Sequence, residues 1–243
     1  MKFFIPLNYI KFFRRLFKSF LKNTKNKKLY SESFINTSIK KVHNVDELID
    51  FHFQTYSEIN HINKEMFKKL LNNPQKTKFN ILETGSSAHG TNSSMLFISY
   101  VKKFGGTFKT IDINPDIKFR FSHLINYNIE FYTDDSIKFL SNLAPNLVKD
   151  LDVIYLDSFD LDIKNPAPSE KHGLKEFLLL DKFVKKGTLI AIDDTPKDFN
   201  LFGLGSNKPE HIPGKGALVL DHIKQSGGYE IIYHHYSLIL KKT

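Results

Sequence analysis

Residues 82–94 read LETGSSAHGTNSS, a small, polar turn with glycines at positions 85 and 90 and a single acid, Glu83. The apolar run FNIL leads into it at residues 79–82, and a helix-like segment follows at 94–104. A strand feeding a glycine-containing loop and then a helix marks the place where open α/β sheets bind ligands, outside the carboxyl ends of the strands. Two phosphate-gripping patterns fail here. Gly85 and Gly90 match the start of G-x-x-x-x-G-K-[ST], but Thr91 stands where the lysine belongs. The dinucleotide fingerprint G-x-G-x-x-G fails because Ser87 replaces the second glycine, which lets backbone approach a pyrophosphate. What remains is an acid two residues ahead of a glycine, in a turn of small residues without a phosphate-specific cation.

Downstream of the turn, strand-like and helix-like runs alternate. FKTIDI, IEFYTD, LDVIYLD and TLIAIDD are strand-like, and the intervening segments 117–126, 136–143 and 169–184 have helical spacing. Such alternation predicts a parallel sheet covered by helices on both faces. After a last helix over 217–225, the runs EIIYHH and SLILKK lie too close together for a helical crossover and should pair antiparallel. The expected fold is α/β: a doubly wound, Rossmann-like, mostly parallel seven-stranded sheet with an antiparallel C-terminal strand, preceded by a helical N-terminal extension. Within that extension, residues 22–41 read as a polar linker. Two helical patterns follow, Val45–Tyr56 with an Asn44 or Asp46 cap, and Lys64–Leu71. The expected organisation is therefore a basic helix over 1–28, a linker with a small helical cap over 29–75, and the main domain over 76–243.

Composition narrows the function classes. At 243 residues, 41% of them hydrophobic, the chain can build one sizeable core. The absence of cysteine excludes disulfides, thiolate metal sites and cysteine nucleophiles, and fits a reducing compartment, so a cytoplasmic location is expected. Of 35 lysines and arginines, nine fall in residues 1–28, where there is no acid, which leaves 26 against 26 acids in the rest of the chain. A neutral body lacks the basic face that nucleic-acid binding requires, so no nucleic-acid partner is expected. The segment NYIKFFRRLFKSFLKN at residues 8–23 carries an apolar stripe opposite its lysines and arginines. Its apolar runs fall far short of the ~20 residues of a spanning helix. Two readings stay open for it: peripheral attachment to an anionic membrane surface, or docking on the body or on a second subunit of a homo-oligomer.

Every strand of the parallel series ends in or near an acid: Asp112 after the second, Asp134 and Asp135 after the third, Asp157 after the fourth, Asp193 and Asp194 after the fifth. Capping of the following helices explains one or two of these, but hardly the whole row. A rim of carboxylates repels a pyrophosphate and suits a cationic ligand and a divalent metal. Asp112, ending the second strand, is placed to take a ribose diol.

Together, LETG with its small-residue turn, TIDINPD, YLDSFD and IAIDD resemble the class I S-adenosylmethionine-dependent methyltransferases. Within these they are similar to the metal-dependent O-methyltransferases of the catechol type and of the macrocin and aminocoumarin sugar-methylating type. The resemblance spans residues 79–242. It implies S-adenosylmethionine and Mg2+ as cofactors, with Glu83, Gly85, Ser87 and Gly90 around the methionine part, Asp112 on the ribose, and Asp134 with Ser136 at the adenine end. It further implies that Asp157, Asp193 and Asp194 bind magnesium. The glycine loop is one residue longer than the catechol-type pattern.

The implied reaction is methyl transfer to a hydroxyl of a sugar, glycan precursor or similar polyol. A metal-clamped vicinal diol is the natural small-molecule or glycan acceptor. For the general base, Asp160 is the first candidate, matching the acid that follows the first metal ligand in sugar-methylating relatives, and His172 is the second. The connection between Thr195 and Gly216 is long enough to serve as a lid, with His211 and Lys215 as possible acceptor contacts. His234 and His235 read as structural. Two competing functions remain: a non-catalytic adaptor that keeps the fold at a membrane surface, and a nicotinamide-dependent oxidoreductase, which the missing second glycine disfavours.

Overall fold

The computed structural model describes residues 29–73, 76–86, 90–143, 145–203 and 211–243. The expected basic helix over 1–28 and the loop residue Ser87 lie outside the described residues. The chain forms two compact units, Met1–Lys41 and Val42–Thr243. In the first, the stretch expected to be a linker contains a helix, α1 (Glu32–Lys40). Ser31 caps it by accepting the Phe34 N–H at 3.3 Å, with Glu32 in the first turn and Lys40 in the last to complement the helix dipole.

The second unit opens with α2 (Val45–Tyr56) and α3 (Lys64–Leu71), as expected from periodicity. Asn44 caps α2 by accepting the Glu47 N–H at 2.9 Å, while the Glu47 carboxylate reaches back to the His43 N–H at 2.8 Å, a reciprocal arrangement close to a capping box. Both helices belong to the same compact unit as the sheet.

Seven strands follow: β1 (Phe79–Thr84), β2 (Gly106–Asp112), β3 (Ile129–Thr133), β4 (Val153–Leu156), β5 (Leu189–Ile192), β6 (Tyr229–His234) and β7 (Leu238–Lys242). Their order is β3-β2-β1-β4-β5-β7-β6, with β7 antiparallel to both its neighbours. Helices α4 (Ser93–Phe104), α5 (Pro115–Phe121), α6 (Ser136–Asn142), α7 (Pro145–Lys149), α8 (Ala167–Asp181) and α9 (Ala217–Ser226) connect them. The start of α5 precedes the expected segment by two residues because Asn114 caps it and Pro115 occupies its first turn, where the missing N–H costs nothing.

The central strands read as continuous apolar runs because both faces are covered. On one face Phe67 of α3 meets Phe97 of α4 and Tyr155 of β4, with ring centroids 5.9 and 5.4 Å apart. On the other, Leu82, Ile154, Leu156, Ile190 and Ile192 pack with Phe177 and Leu180 of α8 and Val219 of α9. Burying an aromatic side chain such as Phe67 is worth roughly 1.5–3 kcal/mol, which secures α3 against the sheet.

The order reverses between β1 and β4, so the crevice opens at their carboxyl ends. Gly85 makes that junction tight. Its φ is +79°, and a Cβ there would lie 2.3 Å from the Asp157 carbonyl oxygen. The Asp157 N–H in turn reaches the Thr84 carbonyl at 2.9 Å.

Candidate active site

A cleft of about 750 Å³ occupies the switch point, within the usual range for ligand pockets. The β1 loop contributes Gly85, Ser86 and Thr91, β2 and α5 contribute Asp112, Asn114 and Ile117, and the β4 tip contributes Asp157 to Asp160. Asp193 and Asp194 follow β5, Lys215 precedes α9, Tyr236 precedes β7, and the α2–α3 connection adds His61, Ile62 and Asn63.

Among the residues expected to hold the cofactor, Gly85 and Asp112 border this cleft. Asp112 Oδ2 accepts the Ser86 N–H at 2.9 Å and Oδ1 the Asn114 N–H at 2.7 Å, which orients the carboxylate and leaves a second lone pair on each oxygen. Its charge is not cancelled by either amide. That donor set fits a ribose diol beside an S-adenosyl group.

Glu83 does not line the cleft. It is fully buried beneath the loop, where Ser93 and Ser94 each donate at 2.5 Å and Thr110 at 2.7 Å. Burial pushes its carboxyl up from 4.5 to about 7, against the pull of the three hydroxyls. Gly90 is also outside the lining. It sits below His61, and its carbonyl accepts the Ser57 hydroxyl, which ties the glycine loop to the end of α2. A second tie comes from buried His52, whose Nε2 lies 2.7 Å from the Thr91 carbonyl. Asp134 faces outward and pairs with Lys138 at 3.0 Å, a bond that holds its carboxyl below the ordinary value. Ser136 is buried with His172 and Ser158, at 3.0 and 3.3 Å.

The acids after β4 and β5 do come together, but around a lysine. Lys215 Nζ binds Asp157 Oδ1 and lies 3.1 Å from Asp194 Oδ2, with side chains of Lys215 and Asp157 only 6% and 5% exposed. Burial opposes the charge on Lys215, yet Asp157, Asp194 and Asp193 outweigh it and hold the ammonium above its usual range. Asp157 Oδ2 is buried without a hydrogen-bond partner. Asp194 adopts a left-handed backbone, φ +41°, and its Oδ1 accepts the Tyr236 hydroxyl at 2.8 Å. A non-glycine residue there is strained, as is common at functional sites.

Asp193 is engaged on both oxygens. Oδ1 accepts Asn63 Nδ2–H at 2.7 Å and the Asp194 N–H at 2.9 Å with the Ser237 hydroxyl 2.8 Å away, and Oδ2 accepts the Tyr155 hydroxyl at 2.7 Å. Magnesium prefers near-ideal octahedral oxygen coordination at about 2.0–2.1 Å. With Asp193 hydrogen-bonded on both oxygens and an ammonium between Asp157 and Asp194, the expected triad as arranged does not fit that ion. No group of three acids or histidines with metal-binding geometry occurs among the described residues.

Of the two candidate bases, Asp160 lines the cleft and is exposed to it. His172 does not: its Nε2 faces Ser136 and Ser158, the Phe159 ring lies tilted against it at 5.1 Å, and Glu176 lies 3.6 Å away. These contacts place His172 beside the cleft and not in its lining. His211 pairs with Glu170 at 2.7 Å and borders a separate hollow of about 380 Å³. His61, Asn63 and Tyr236 were not foreseen. Asn63 stands at the N-cap of α3 without capping it, the one local sign that its side chain serves elsewhere.

No protein-family model matches the chain, and no curated protein matches it in sequence. Among solved structures it is similar to MycE methyltransferase from the mycinamycin biosynthetic pathway in complex with Mg and SAH, with a TM-score of 0.57 and 17% identity over 82% of this chain and 55% of MycE. MycE with Mg, SAH and mycinamycin VI gives 0.58 and 16% over 83% and 55%. A putative O-methyltransferase from Klebsiella pneumoniae gives 0.50 and 14% over 87% of this chain and 96% of that one. The chain spans about half the length of MycE. Its second unit therefore has the fold of the class I S-adenosylmethionine-dependent methyltransferases.

Proposed function

We propose that this chain is an S-adenosylmethionine-dependent O-methyltransferase acting on a hydroxyl of a small-molecule acceptor such as a sugar, glycan precursor or similar polyol. The observation that carries the reading is a single cleft with uncancelled Asp112 on one side of the β1/β4 switch point and Asp157, Asp160 and Asp194 on the other. Its acids outnumber its one lysine, which suits a sulfonium cation. When bound, the cofactor supplies an electrophilic methyl carbon, and the protein has to align an acceptor oxygen with it and take up the proton. Asp160 is the acid exposed in the cleft for that proton. A vicinal diol is required only where a metal clamps two oxygens; beside an ammonium one hydroxyl suffices.

Titration calorimetry with S-adenosylhomocysteine tests the reading. Saturable heat is expected, and its absence would favour the non-catalytic adaptor. Residues 1–28 are proposed to attach the protein to anionic membrane, each lysine or arginine near the surface contributing about 1 kcal/mol. Anionic vesicles at low salt should retain the full chain and release a form lacking those residues. Failure of the full chain to bind contradicts the attachment. Among the described residues, no helix is long and apolar enough to cross a membrane.

A further inference from the structure

Lys215 is built into the floor of the cleft by its backbone as well as by its charge. Its N–H reaches the Asp194 carbonyl at 3.0 Å, and the next amide, Gly216 N–H, reaches Thr195 Oγ1 at 2.9 Å. Its carbonyl lies against α8, where a Cβ on Gly173 would come within 2.3 Å of it, so only glycine there admits the contact. These contacts fix the Cα of Lys215 where its side chain enters between the tips of β4 and β5. Independently, Asn63 Nδ2–H and the Tyr155 hydroxyl donate to the two oxygens of Asp193.

We infer that the Lys215 ammonium takes the place of the divalent cation in this cleft, so that acceptor binding and methyl transfer proceed without a metal. The inference rests on the methyltransferase reading above. An ammonium has three N–H donors; Asp157 accepts a hydrogen bond from one of them, and Asp194 pairs with the charge at 3.1 Å. A remaining N–H is left for the acceptor oxygen, in the role a hard cation would play. The acceptor's proton passes to the Asp160 carboxylate, a lone pair of the oxygen forms the new O–C bond, and the C–S pair stays on sulfur. Lys215 keeps its three protons throughout. A divalent ion could enter only by displacing a buried ammonium from two carboxylates, and it would then compete with Asn63 and Tyr155 for the oxygens of Asp193.

Manganese titration followed by electron paramagnetic resonance, with and without S-adenosylhomocysteine, tests this on the full chain. The wild type should show no saturable Mn2+ binding. Lys215→Met, which frees Asp157 and Asp194 for a cation, should bind Mn2+ at least about tenfold tighter while still binding S-adenosylhomocysteine. Saturable Mn2+ binding by the wild type overturns the inference. So does a Lys215→Met variant that binds S-adenosylhomocysteine but gains no Mn2+ affinity. Lys215→Gln replaces the methionine variant if that one fails to fold, and the wild-type titration decides without either. Loss of S-adenosylhomocysteine binding in the wild type would instead strike the methyltransferase reading, and the Mn2+ titration without it would still report on the lysine.

Discussion

The tips of β1 and β2 and the tips of β4 and β5 both collect acids, and they hold them by opposite means. Glu83 and Asp112 are held by neutral donors alone, three hydroxyls on the first and two backbone amides on the second. Asp157 and Asp194 share a buried cation. Neutral donors fix a carboxylate's direction without cancelling its charge, which leaves Asp112 available to a ligand. A buried cation cancels charge and allows two carboxylates to stand side by side on a cleft floor. The contrast shows how one sheet edge can present a polar grip at one end and a partly neutralised floor at the other.

The largest expected effect is on the charged side. Lys215→Ala should destabilise the fold by about 3–5 kcal/mol, because it strands buried carboxylates without their cation. Replacing the pair together, Lys215→Met with Asp157→Leu, should recover most of that loss. Urea unfolding measures both, and an unchanged midpoint in Lys215→Ala would show that the pair is not buried and would remove the contrast.

A smaller effect, on the neutral side, appears with pH. The folded-state pKa of Glu83 is raised from 4.5 to about 7, so the folded protein binds more protons than the unfolded chain between these values. The stability that Glu83 contributes is thus present below pH 4.5 and lost as pH rises through 7, at up to about 1.4 kcal/mol per pH unit. Buried His52 acts in the other direction. Burial lowers it from 6.5 to about 4, so its contribution grows as pH rises over that interval. Overlap of the two windows flattens the wild-type profile. Glu83→Gln should unmask a rise in stability between pH 4.5 and 6.5, read by thermal unfolding across that range; a profile parallel to wild type would mean that Glu83 titrates normally.

The strands and the acid at each strand tip were readable from the chain because they follow from period and from chemistry at fixed places. All seven strands and the helices Val45–Tyr56 and Lys64–Leu71 stand where periodicity put them. Roles within the cleft were harder to read. Glu83 lies in the strand itself, and only the packing of Ser93, Ser94 and Thr110 around it shows that it points beneath the loop. Asn63 and Asp193 are 130 residues apart, and no local pattern announces that they meet. Lys215, expected as a lid contact, lies on the floor because Gly173 of a different helix lets its backbone approach. The helix Glu32–Lys40 is not evident from the sequence because its buried apolar positions, Ile35 and Ile39, are few and its flanks rich in lysine.

The measurement that bears most directly on the central claim is the affinity of S-adenosylhomocysteine for three forms: the wild type, Asp112→Ala and Asp160→Asn. If the neutral-donor side grips the cofactor and the other side serves the acceptor, Asp112→Ala should bind at least about tenfold more weakly, since a charge-assisted hydrogen bond is worth roughly 1.5–3 kcal/mol. Asp160→Asn should bind as the wild type does. Equal affinity in Asp112→Ala and wild type, or a loss confined to Asp160→Asn, would contradict the account.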